Sequence, residues 1–89
     1  MKLILYTKPG CHLCEGLQEK LEQVEAVSFE LEIRQITDSL NWFEKYQYEV
    51  PVLCWVNEAN TPPTEEPLPR LSPRSPVVKL EELLQKYQN

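Results

Sequence analysis

Two cysteines three residues apart, Cys11 and Cys14, stand directly behind the apolar run Leu3-Ile4-Leu5-Tyr6 and the turn pair Pro9-Gly10. This placement constrains the chain more than any other feature. An almost unbroken apolar run ending at a turn signal predicts a strand over Lys2 to Tyr6 that is buried on both faces. Pro9 and Gly10 end it. From Cys11 to Ala26 the pattern changes period, with Cys14, Leu17, Leu21 and Val24 on one face and Glu15, Glu19, Lys20, Glu22 and Gln23 on the other, which predicts an amphipathic helix of about four turns beginning at Cys11. The cysteine pair therefore belongs at the junction of a central strand and a helix N-terminus.

The remaining chain supports a small α/β domain. Ser28 to Ile36 alternates, Phe29, Leu31 and Ile33 against Glu30, Glu32 and Arg34, as an edge strand buried on one face does. Joined to the first strand through a helix, it is expected to lie parallel to it with a right-handed crossover. Asp38 or Ser39 suits the cap of a second helix, whose Leu40, Phe43 and Tyr46 or Gln47 recur at helical spacing up to about Tyr48. Val50 to Val56 reads as another apolar strand with Pro51 near its start, where a missing amide does least harm. Residues 57–76 hold six of the eight prolines and are expected to form a surface loop, within which Pro67 to Leu71 has the makings of a short edge strand. Ser75 as cap and Pro76 in the first turn open a last helix with Val77, Leu80, Leu84 and Tyr87 on one face and Leu83 alongside. With no internal repeat, the 89 residues make one domain, burying roughly 60 to 65% of the unfolded surface.

Charge and cysteine count narrow the function. A net charge of −5 repels phosphate backbones and anionic headgroups, so nucleic acid and membrane surfaces are poor partners. The apolar run at the N-terminus is too short for a signal-peptide core or a membrane span, which places the expected site of action in the cytoplasm. In that reducing compartment three cysteines do not form a structural disulfide framework; a redox or metal pair with one spare fits.

Chemistry assigns the pair. The attacking species in disulfide exchange is the thiolate, and the partial positive charge of a helix N-terminus favours it at Cys11. Lys8, if it points inward, and His12 are placed to add to that stabilisation. Residues three apart on a helix lie within the Cα separation a disulfide tolerates, so Cys11 and Cys14 can close with little movement. Cys14 is on the apolar stripe and Cys11 is not. Cys11 is thus the expected attacker and Cys14 the resolving thiol. Two buried structural cysteines, a non-enzymatic binding module with a vestigial pair, and a zinc or iron–sulfur site remain alternatives, although a closed zinc site wants four ligands and the chain offers Cys11, Cys14, Cys54 and His12. Cys54, between Val52 and Val56, reads as a small core residue.

The segment Tyr6-Thr7-Lys8-Pro9-Gly10-Cys11-x-x-Cys14 resembles the active-site segment of dithiol glutaredoxins, and Val50-Pro51-Val52 is similar to the cis-proline element of thioredoxin-like folds. Cys11-His12-Leu13-Cys14-Glu15 and the proline-rich stretch before the last helix resemble a small glutaredoxin-like family. The resemblance implies a β-α-β-α-β-β-α three-layer sandwich with a four-stranded mixed sheet of order 2-1-3-4. It also implies a cis Val50-Pro51 bond beside Cys11, with the Val50 carbonyl and amide available to an extended thiol peptide. Lys8 matches the basic residue near the glutathione glycine carboxylate. Two departures stand out. His12-Leu13 replaces the usual Pro-Tyr, and no glycine follows Gly16, so the Gly-Gly turn that receives the γ-glutamyl end is replaced by Ser72-Pro73-Arg74-Ser75. Arg74 and Ser75 are candidates to hold a carboxylate at the last helix's N-terminus. The expected function is thiol–disulfide exchange by a monomer with no bound cofactor. It would act on protein or low-molecular-weight disulfides, with glutathione as a co-substrate weaker than in glutaredoxins, or with a thioredoxin-type reductant.

Overall fold

The computed structural model describes residues 1–88. The strands are β1 (Lys2–Thr7), β2 (Glu30–Gln35), β3 (Val52–Asn57) and β4 (Thr64–Pro67), and the helices α1 (His12–Glu22), α2 (Leu40–Tyr46) and α3 (Val77–Gln85). The four strands form one sheet in the order β2-β1-β3-β4. β1 and β2 run parallel with Leu3 opposite Leu31 and Leu5 opposite Ile33. β3 is antiparallel to β1, with Leu5 opposite Leu53, and β4 is antiparallel to β3, with Trp55 opposite Glu66. This is the thioredoxin-like arrangement.

The apolar run of β1 is explained by its central place. Successive side chains point to opposite faces. Leu3 and Leu5 enter a core with Leu21 of α1, Leu53 of β3 and Leu80, Leu83 and Leu84 of α3. Ile4 and Tyr6 enter a second core with Ile36, Tyr46, Val52 and Cys54. α1 and α3 therefore cover one face and α2 the other, giving three layers.

Several boundaries differ from those expected. α1 stops at Glu22 rather than Ala26, because the chain must turn to bring Val27 into the core, and the Glu81 carboxylate accepts from the freed amides of Glu25 (3.0 Å) and Ala26 (2.9 Å). In β2, Leu31 packs against the core while Ile33 is 41% exposed, so one-sided burial reaches only part of this edge strand.

Ser39 caps α2 by accepting from the Trp42 amide. Of the expected stripe Leu40, Phe43 and Tyr46, only Tyr46 is buried, and Trp42 joins it against the core while Leu40 is 71% exposed. Pro51 precedes β3 instead of opening it. The edge strand forms over Thr64–Pro67, three residues before the expected Pro67 to Leu71, because pairing with Cys54–Asn57 sets its register. The amide of Leu68 then donates to Leu53 (2.9 Å), and Leu68 turns into the core. Pro76, not Ser75, occupies the N-cap position of α3, and no side chain caps that helix.

Candidate functional site

The site begins with a turn. The amide of Cys11 donates to the carbonyl of Lys8 (3.3 Å), with Pro9 and Gly10 between them and Gly10 at φ +75°. Proline followed by a residue of positive φ is the chemistry of a type II turn, and glycine adopts that φ without a Cβ penalty. The turn delivers Cys11 to the N-cap of α1, where its Sγ accepts from the Cys14 amide (3.2 Å). Sulfur thus takes the capping role that serine or aspartate usually fills, and it faces the unpaired amides whose partial charge favours a thiolate.

Cys11 and Cys14 are joined as a disulfide with their Cα atoms 5.3 Å apart. Cys11 is half-buried, whereas Cys14 is 3% exposed. The expected asymmetry between an accessible and a shielded sulfur is present.

The neighbours are arranged less simply. Lys8 does not point inward at Cys11; its Nζ donates to the carbonyl of Gln47 (3.4 Å), just beyond α2. The His12 side chain is almost fully in solvent, with Nδ1 3.6 Å from the Glu15 carboxylate one turn on. The Val50–Pro51 peptide is cis, and Pro51 and His12 line the same cavity. The Val50 amide, expected to be open to a substrate strand, donates to the Tyr46 carbonyl (3.1 Å). The short chain between α2 and β3 folds back on the helix end and uses that donor internally. Arg74 is exposed, and the carbonyl of Ser75 accepts from Lys20 Nζ (2.7 Å).

Cys54 is fully buried on the α2 side of the sheet, among Ile4, Tyr6, Ile36 and Tyr46. Burial, reinforced by the Glu65 carboxylate, pushes its thiol up to about 11. It is a core residue, as its alternation with Val52 and Val56 suggested. On the same face the Tyr6 hydroxyl donates to the Glu65 carboxylate and accepts from Arg34 (2.8 Å), whose guanidinium lies over the Trp42 ring at 5.1 Å. Burial first, and then Glu65, raises the Tyr6 phenol above its ordinary value. Among the described residues, no three His, Cys, Asp or Glu side chains gather as a metal site.

Two basic residues that the motif did not point to shape the site. Lys20, in the last turn of α1, donates to the carbonyls of Pro73 (2.6 Å) and Ser75 (2.7 Å). Arg70 donates to the carbonyls of Glu49 (2.6 Å) and Pro51 (3.1 Å). Together they tie the segment after β4 to α1 and to the cis-proline loop. A proline-rich segment is poor in amide donors, so its carbonyls need partners from elsewhere; that shortage is the only sequence signal for these residues. Beside the cysteine pair, between α1, the cis-proline loop and this tied segment, lies a cavity of about 630 Å³.

The Glutaredoxin-like domain (DUF836) family matches residues 2–85. Among solved structures, the X-ray structure of target protein XcR50 from X. campestris is similar with a TM-score of 0.63 and 26% sequence identity, over 94% of this chain and 96% of that one. No curated protein matches.

Proposed function

The chain belongs to the glutaredoxin-like domain family, and on that premise we propose that it is a thiol–disulfide oxidoreductase working through Cys11 and Cys14. One observation carries the proposal: the two sulfurs sit within bonding reach at a helix N-terminus, Cys11 accessible and Cys14 shielded. In the reduced protein the Cys11 thiolate attacks one sulfur of a substrate disulfide. A Cys11–substrate disulfide forms, the substrate S–S bond breaks, and the other substrate sulfur leaves as a thiolate that takes a proton from water. The Cys14 thiolate then attacks Cys11 Sγ, the second substrate sulfur leaves, and the pair ends as the Cys11–Cys14 disulfide. The substrate gains the two electrons that the pair loses. A thiol reductant reverses the cycle.

Protein or low-molecular-weight disulfides are the proposed substrates of a monomer without bound cofactor, and glutathione or a thioredoxin-type system the reductant. The absence of a Gly-Gly turn before α3 and the engaged Val50 amide both support a weaker use of glutathione than in glutaredoxins. No helix of the described residues is long and apolar enough to cross a membrane. A reducing compartment such as the cytoplasm suits a pair that must be returned to the dithiol.

The experiment is mass spectrometry of protein trapped with a substrate disulfide. Cys11→Ser is expected to abolish reduction, and Cys14→Ser to accumulate a mixed disulfide through Cys11. Equal trapping through Cys14 in the Cys11→Ser protein would refute the roles. A pair that stays unchanged across glutathione redox buffers would favour a binding module.

A further inference from the structure

Resting on the redox reading of Cys11, we propose that the cavity beside it is a specificity pocket. Its occupant is an aromatic or branched aliphatic side chain next to the disulfide cysteine of a polypeptide substrate.

The cavity starts at His12 and Leu13, immediately after Cys11, and runs under the tied segment to Leu17, Leu53, Leu68, Leu80 and Leu83. Its inner wall is thus the apolar core between α1 and α3. Gly16 opens it. This glycine lies inside α1, and a Cβ added there would meet nothing within 4 Å. A glycine in a helix interior weakens the helix relative to alanine, and here it leaves a hollow on the surface facing the motif. At about 630 Å³ the space lies within the range of ligand pockets and has room for a large side chain together with the backbone that carries it.

The polar groups at the walls have other engagements. Lys20 is bound to the Pro73 and Ser75 carbonyls, and Arg70 to the Glu49 and Pro51 carbonyls. Both heads spend donors on backbone carbonyls that hold the walls together, and Glu49 also lines the cavity. Pairing of a substrate strand with Val50 is reduced to its carbonyl, because the amide donates to Tyr46. Main-chain pairing is therefore weakened, and side-chain insertion has to supply the selectivity.

The rim extends the apolar surface outward. Leu13 is 53% exposed, Tyr48 92% and Leu71 37%, all three around the mouth. Exposed apolar side chains at the mouth of an apolar pocket suit contact with a polypeptide. A small charged thiol cannot cover them, whereas a polypeptide flanking its disulfide can.

The test uses two peptides identical except for phenylalanine or serine beside the cysteine, each carried as a mixed disulfide with 5-thio-2-nitrobenzoate. Reduced wild-type protein is expected to cleave the phenylalanine peptide with a kcat/KM about tenfold or more higher. In Gly16→Leu, which fills the hollow, that ratio is expected to fall towards one. Equal rates in wild type, or an unchanged ratio in the variant, would overturn the pocket.

A second measurement needs no redox chemistry and no variant. Oxidised wild-type protein is titrated with the phenylalanine peptide carrying S-methylcysteine, and the amide resonances of Gly16, Leu80 and Leu83 are expected to shift. Shifts absent from these residues would sink the pocket while leaving the oxidoreductase reading standing. Shifts without any peptide reduction would keep the pocket and sink the oxidoreductase.

Discussion

Lys20→Met tests whether the tie between α1 and the segment before α3 holds the site together. The substitution keeps a flexible apolar stem of similar length and removes the ammonium that donates to Pro73 (2.6 Å) and Ser75 (2.7 Å). Hydrogen bonds from charged groups contribute roughly 1.5 to 3 kcal/mol each when shielded. Here Pro73 is exposed and Ser75 half-buried, so both freed carbonyls can turn to water, and the lysine regains rotamer freedom. The discounted cost is about 1 to 2 kcal/mol for the two bonds together. For a domain of this size that corresponds to a Tm lower by about 5 to 15 °C. Circular dichroism melts of oxidised protein measure it, with Lys79→Met as the control. Lys79 pairs with Glu82 at 3.5 Å on an exposed helix face, and its removal is expected to cost about 0.5 kcal/mol or less. A Lys20→Met melt within about 2 °C of the control would refute the tie as a source of stability.

Gly10→Ala is expected to destabilise by about 1 to 2 kcal/mol, read by urea unfolding, because the residue sits at φ +75° where a Cβ is strained. Glu81 accepts from the Ala26 and Glu25 amides, which hold its carboxyl below the usual 4.5. Its contribution is therefore complete above that value and disappears as pH falls through the depressed one, so Glu81→Gln should flatten the acid limb of a stability-against-pH curve; an unchanged limb would refute this. Iodoacetamide at pH 8 should label Cys11 first in the reduced native protein and leave Cys54, with its thiol pushed up to about 11, unlabelled until the protein unfolds. Native labelling of Cys54 would contradict its placement.

What the sequence determined by itself are the features governed by neighbours along the chain. Burial of β1 on both faces followed from its unbroken apolar run, and the Pro9-Gly10 turn followed from the φ each residue supplies. The place of Cys11 at a helix start and the shielding of Cys14 followed from the period of three and four in Cys14, Leu17 and Leu21. The Ser39 cap was legible for the same reason. The strand order came through resemblance, since periodicity does not say which strands meet.

Only the tertiary structure decided the rest. α2 is seven residues long, too short for its apolar positions to name one face, and contact with Tyr6 selects Trp42 and Tyr46 over Leu40 and Phe43. The register of β4 depends on its partner strand. Lys20 and Arg70 bond carbonyls far away in sequence, and Val50 loses its free amide because the chain after α2 folds back on Tyr46. The cavity beside Cys11 is bounded by parts of α1, α3 and two loops that meet only after folding. Local chemistry set where the sulfurs sit, and packing between distant segments set what can reach them.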